Sequence, residues 1–209
     1  MKKKIEIFCT LGPSSLNRKF LNFSNKNISL LRLNLSHIES HKLAKTIKFV
    51  KKYSKVPICI DTEGSQIRSK VKGNKFLKTN SLIKIHKANN KFSLYPNYVF
   101  EKLKVGDLLN IGFRDLLIKI KKIEKKIIMA KVIRSGYLEN NKGVHLENRK
   151  LKLNFLTDKD FRSIKIAEKL KIKHFALSFT NSHEDVIKFN KLLKNKVKIF
   201  KLESKSALK

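Results

Sequence analysis

The stretch HKLAKTIKFVKKYSKVPICIDT, residues 41–62, decides the fold. Leu43, Ile47 and Val50 recur at spacings of four and three, the period of a helix with one buried stripe, over His41 to Ser54. Val56 to Ile60 is then a short apolar run that stops abruptly at Asp61 and Thr62, which reads as a buried strand. A similar run, Ile28 to Asn34, precedes the helix and ends in polar Asn34 and Ser36. Strand, helix, strand with short connections is the grammar of a parallel sheet.

Upstream, Ile5 to Thr10 reads as a further strand, stopped by Gly12 and Pro13. Downstream the rhythm changes. Between about Ser69 and Leu146 no convincing helix is expected; short runs such as Leu82 to Ile85, Leu116 to Ile120 and Ile127 to Ile133 alternate with turn signals. This predicts a small all-β, barrel-like insert. The α/β rhythm then resumes. Thr157 and Asp160 have the spacing of a capping box, and Phe161, Ile164, Ala167 and Leu170 mark the inner face of its helix. Ile172 to Phe179 reads as a strand, Ser182 with Asp185 as a helix start, and Val197 to Leu202 as the fifth strand. The expected organisation is residues 1–69 and 147–209 as an α/β domain interrupted by the insert, residues 70–146.

Composition bounds the function. The 209 residues are 41% hydrophobic and 31% charged, which excludes a disordered chain, and no run of 18 apolar residues spans a bilayer. The basic start, Met1 to Lys4, lacks the pattern of a secretory signal. Cys9 and Cys59 sit in apolar runs, as expected of reduced, buried thiols in a cytoplasmic protein. The net charge of +33 suggests polyanions, yet seven of the 49 basic residues are arginine and the lysines are spread throughout. That pattern argues against nucleic acid as the main partner and suits small anions such as phosphates equally well.

Ligands of parallel α/β folds bind at the carboxyl ends of the strands. Arg32, Asn34, Ser36 and His37 follow or end one strand; Asp61, Thr62 and Glu63, with Arg68 beyond, follow the next; Ser178 and Thr180, then Lys201 and Glu203, follow the last two. Oxygen ligands with guanidinium and ammonium groups suit hard cations plus phosphate. Neither cysteine lies near a histidine at zinc-ligand spacing, and no Gly-rich phosphate loop of either common type is present.

Six ordered segments resemble pyruvate kinase. They are Thr10-Leu11-Gly12-Pro13-Ser14-Ser15, Arg32-Leu33-Asn34-Leu35-Ser36-His37, Asp61-Thr62-Glu63-Gly64-Ser65-Gln66-Ile67-Arg68, Asn141-Lys142-Gly143-Val144, Phe175 to Phe179, and Lys198 to Glu203. The resemblance implies an incomplete (β/α)8 TIM-type barrel of about five strands with an inserted small all-β barrel, since a whole (β/α)8 barrel takes about 250 residues. It implies phosphoryl transfer from phosphoenolpyruvate to ADP, giving pyruvate and ATP in glycolysis. Potassium would be held by Asn34, Ser36, Asp61 and Thr62, and magnesium or manganese by Glu203. Nucleotide contacts fall on Asn34, His37, Arg68 and Lys142, and substrate contacts on Arg32 and Lys201, with Lys201 catalytic. Glu63, Ser65 and Gln66 depart from the family's Lys, Pro and Glu, and Glu63 reverses a charge.

The expected chain is the N-terminal portion of such an enzyme, inactive alone and homo-oligomeric if longer. The alternative is a non-catalytic relative that retains nucleotide or ion binding and serves a regulatory or assembly role.

Overall fold

A computed structural model describes residues 5–88, 91–112, 116–204 and 207; Met1 to Lys4 lie outside it. The chain forms two compact units, Met1–Ser65 with Asn154–Lys209, and Gln66–Leu153.

The first unit opens with β1 (Phe8–Thr10), α1 (Arg18–Asn27), β2 (Leu30–Asn34), α2 (Ser40–Tyr53) and β3 (Ile58–Asp61). The first strand is shorter than the apolar run predicts: Ile5 and Ile7 are exposed and only Phe8 to Thr10 pair with β2. Helix α1 was not predicted from its Lys- and Asn-rich sequence. Asn17 caps it by accepting from the Phe20 amide, and it buries Leu21 and Ser24. In α2 the expected stripe, Leu43, Ile47 and Val50, is fully buried.

The second unit holds β4 (Ile67–Lys70), β5 (Lys75–Leu77), β6 (Leu82–His86), β7 (Ser93–Tyr95), the four-residue helix α3 (Val99–Lys102), β8 (Leu108–Ile111), β9 (Leu116–Ile123), β10 (Ile127–Arg134), β11 (Gly136–Leu138) and β12 (Gly143–Leu146). Seven of these strands close a barrel in the order β10-β6-β7-β4-β12-β8-β9, which leaves that sheet no open edge. Strands β5 and β11 form a separate antiparallel pair. The barrel interior is filled by Ile85, Leu109, Ile111, Ile118, Ile128 and Val132.

The chain returns to the first unit with α4 (Asp158–Lys169), β13 (His174–Leu177), α5 (His183–Leu192) and β14 (Val197–Phe200). Both helix starts are capped as the sequence predicts, α4 by a reciprocal Thr157/Asp160 capping box and α5 by Ser182. Ile164 and Ala167 are buried, whereas Phe161 sits at the rim, edge-on to Phe155.

All five strands of the first unit are parallel, in the order β1-β2-β3-β13-β14. Side chains alternate across such a sheet. Leu31, Leu33, Ile58, Ile60, Phe175 and Leu177 therefore turn into the large core shared with the helices. Their neighbours Leu30, Cys59 and Ala176 turn to the opposite face and form a small cluster with Ile199. The same alternation places Thr10, Arg32, Asp61, Ser178 and Lys201 on that opposite face. Cys9, expected to be buried, is partly exposed because it lies on an edge strand.

Candidate active site

Asp61, the last residue of β3, is the centre of the site. Its carboxylate is fully buried and accepts from Arg32 Nε at 2.7 Å, from Arg32 Nη2, and from Lys201 Nζ at 3.0 and 3.3 Å. Ser178 Oγ donates to Asp61 Oδ1 at 3.0 Å and lies 2.8 Å from Lys201 Nζ. Arg32 Nη1 reaches back to Thr10 Oγ1 at 2.8 Å. Four strand ends thus meet at one carboxylate, and Arg32 ties in the fifth through Thr10. Burying a lone carboxylate costs several kcal/mol, and only well-placed cations and hydroxyls offset it.

Arg32 and Lys201 keep an open side, with side chains 32% and 24% exposed. They border a cavity of about 360 Å³ whose floor is Leu30, Cys59, Ala176 and Ile199, with Glu203 on its rim. Two cations over an apolar floor suit a small anion that carries a short hydrocarbon part. Burial, and then the nearby Asp61 anion, push the Cys59 thiol up to about 12, so it stays a neutral packing group.

Glu203 is fixed at both oxygens. Oε2 accepts the Phe179 amide at 3.0 Å and Oε1 lies 3.4 Å from Lys201 Nζ. Phe179 holds φ at +51°, a left-handed conformation that a bulky residue rarely adopts, and this aims its N–H at Glu203. The next amide, of Thr180, donates to the Lys201 carbonyl.

Asn34 and Ser36 stand at the end of β2, where Asn34 Oδ1 accepts the Ser36 amide at 2.9 Å. Leu35 between them donates its N–H to the Asp61 carbonyl at 2.9 Å, which ties this loop to the end of β3. Thr62 Oγ1 accepts the Ser178 amide at 3.1 Å. Asn34 and Asp61 are register partners at the ends of β2 and β3, with Ser36 and Thr62 just beyond them, and the four side chains offer neutral oxygens plus one carboxylate. That chemistry fits a hard monovalent cation. Among the described residues no group of three or more His, Cys, Asp or Glu could hold a metal. His37 is exposed at the end of the same loop.

The charge reversal at Glu63 has a local answer. Its side chain is buried against α4, where Oε1 lies 2.9 Å from Lys159 Nζ and Oε2 lies 3.2 Å from the Thr157 hydroxyl. It faces neither Arg32 nor Lys201. The following Gly64 has φ +65°, and a Cβ there would meet the Ser178 carbonyl oxygen at 2.1 Å, so only glycine lets the two strand-end loops approach.

In the second unit, Arg68 lies on β4 opposite Gly143 of β12, and Lys142 ends the turn that leads into β12. Arg68 Nη1 donates to the Asn141 carbonyl at 3.1 Å, and Lys142 Nζ pairs with Glu139 at 3.0 Å. Ser69 receives the Lys142 amide at its hydroxyl, so the turn carrying Lys142 is fixed to β4.

Sequence reasoning gave no catalytic or ligand role to three participants: Ser178, which it set at the strand-end face, Thr10, and the Thr157–Asp160 turn. The first two carried a signal, since each is polar at the carboxyl end of an apolar strand.

A parallel α/β sheet with charged strand ends, interrupted by a closed β-barrel, defines the class of the molecule. Residues 2–208 match the family described as "Pyruvate kinase, barrel domain", and the chain belongs to that family. It is 35% identical to the pyruvate kinase of Buchnera aphidicola subsp. Schizaphis graminum, over 92% of this chain and 43% of the relative. It is 28% identical to the pyruvate kinase of Staphylococcus aureus strain USA300, over 91% of this chain and 35% of the relative. The crystal structure of Cryptosporidium parvum pyruvate kinase superposes with a TM-score of 0.80 at 26% identity, covering 92% of this chain and 43% of that one. The chain spans less than half the length of these relatives.

Proposed function

We propose that these residues form part of a phosphoryl-transfer site that takes phosphoenolpyruvate and ADP to pyruvate and ATP, as in glycolysis. The observation that carries this reading is the Arg32–Asp61–Lys201 centre, whose two cations border a small apolar-floored cavity beside Glu203. Phosphoryl transfer is mostly positioning and charge neutralisation, so fixed cations aimed at phosphoryl oxygens are what the reaction needs.

In this reading Arg32 binds the phosphate of phosphoenolpyruvate and Lys201 neutralises the phosphoryl group in flight. Asp61 holds both cations in place, and Ser178 fixes the direction of the Lys201 ammonium. Glu203 is the magnesium or manganese ligand on this chain; the ion, when bound, supplies Lewis-acid polarisation and charge neutralisation. Potassium is held by Asn34, Ser36, Asp61 and Thr62. Within the first unit, Asn34 and His37 contact the nucleotide. The five-stranded sheet is the first part of a (β/α)8 barrel, and transfer requires further barrel strands and a second acidic metal ligand from them. The site of action in this reading is the cytoplasm, as the resemblance to a glycolytic enzyme implies; no helix among the described residues is long and apolar enough to cross a membrane.

Calorimetric titration of the 209-residue chain with phosphoenolpyruvate, in magnesium and potassium, tests the reading. Saturable binding that weakens about tenfold or more in Arg32→Ala is expected, the loss typical of one charge-assisted contact. The absence of saturable binding, or equal affinity in the variant, contradicts it.

A further inference from the structure

We propose that Lys159 is a positioning residue that sets the spacing of the two loops carrying the monovalent-cation oxygens, an inference that rests on the ion site proposed above. Lys159 stands in the first turn of α4, and its Nζ donates to the carbonyl oxygen of Leu35 and to Glu63 Oε1, the latter at 2.9 Å. Leu35 lies between Asn34 and Ser36, and Glu63 directly follows Thr62. One ammonium group therefore joins the backbone of the loop after β2 to a side chain of the loop after β3.

The surrounding bonds make this a rigid link. The peptide groups on both sides of Leu35 are fixed, since its N–H is held by the Asp61 carbonyl and its carbonyl by Lys159. The loop after β3 is gripped by the next residue of the same helix turn. Asp160 Oδ1 accepts the Glu63 amide at 2.7 Å and Oδ2 the Gly64 amide at 3.2 Å. Both ends of the link are withdrawn from water, with the Lys159 and Glu63 side chains 19% and 6% exposed. Breaking one partner of such a pair leaves the other charge poorly solvated, so the loops must move to recover solvent. Lys159 touches none of the four proposed cation ligands, so it acts on them through the backbone and through Glu63. Residues that orient ligands from behind typically change metal affinity by about 10–100-fold.

The test is thallium(I) binding, a spectroscopic stand-in for potassium, followed by thallium nuclear resonance on the 209-residue chain. Lys159→Met is expected to weaken thallium(I) binding about tenfold or more, and Lys159→Arg, which keeps two donors, to recover to within about threefold. Phosphoenolpyruvate affinity measured with tetramethylammonium as the sole monovalent cation is expected to stay within about twofold, a pattern that general destabilisation does not produce. A folded Lys159→Met chain with wild-type thallium(I) affinity overturns the proposal. If that variant lacks the native circular-dichroism spectrum, Glu63→Gln decides: several-fold weaker thallium(I) binding is expected, and unchanged affinity overturns it. A wild-type chain without saturable thallium(I) binding overturns the ion-site reading itself, and this inference with it.

Discussion

The ammonium of Lys201 lies 3.0 Å from Asp61 Oδ2 although 140 residues separate them in the chain. The parallel order of the sheet brings this about. Strand β13 lies between β3 and β14, and its Ser178 hydroxyl bridges the two charges. The carboxylate is buried and the ammonium partly open, so Asp61 serves as a fixed counter-charge that aims a cation outward.

Asp61→Asn is expected to destabilise the chain by about 3 kcal/mol, because Arg32 and Lys201 lose a shared buried partner while keeping their own exposed sides. Urea unfolding of the wild-type and variant chains measures this. A loss below about 0.5 kcal/mol, the scale of an exposed ion pair, contradicts the centre described here.

Gly64→Ala is expected to cost about 2 kcal/mol or more. The backbone there is left-handed, and the added methyl meets the Ser178 carbonyl oxygen at 2.1 Å. A denaturant midpoint unchanged from wild type contradicts the close approach of the two loops.

Burial pushes the Asp160 carboxyl up from its ordinary value of 3.8 to about 6, with the amides of Thr157, Glu63 and Gly64 pulling it partly back. The folded state therefore binds this proton more tightly than the unfolded chain. Stability from this group is greatest at low pH and is lost as pH rises from about 4 through 6, so lowering pH from 7 to 5 stabilises the fold by about 1 kcal/mol through Asp160. The expected observation is that this increment is present in the wild type and missing in Asp160→Asn. Parallel pH–stability profiles for the two proteins contradict it.

The two thiols should differ in reactivity. Cys59, buried and pushed up from 9.0 to about 12, presents roughly a thousandfold less thiolate than an ordinary cysteine, whereas Cys9 is partly exposed. One thiol per chain is expected to react with a maleimide under native conditions and two after unfolding; rapid native modification of Cys59 contradicts the packing of the cavity floor.

Much of this was legible in the sequence because each strand announces its own end. Apolar runs stopping at Asn34, Asp61 and Ser178 set both the parallel sheet and the face where polar groups gather. The stripe in α2 and the caps at Thr157 and Ser182 are local patterns, and local patterns survive without coordinates. Helix α1 escaped notice because its apolar face is short, Phe20 and Leu21 with polar Ser24 completing it, in a segment otherwise rich in Lys and Asn. The role of Glu63 escaped for a different reason. Its partners Thr157 and Lys159 are more than 90 residues away, and no period in the sequence links a strand-end acid to a lysine in the first turn of a distant helix.

The most direct measurement is a crystal structure of the 209-residue chain grown with phosphoenolpyruvate, manganese and potassium. The account predicts an anomalous manganese signal at about 2.2 Å from a Glu203 carboxylate oxygen, a typical carboxylate–metal distance, with the phosphoryl oxygens in contact with Arg32 and Lys201. Phosphoenolpyruvate bound away from these residues, or a manganese signal elsewhere with Glu203 still closed on the Phe179 amide, would contradict it.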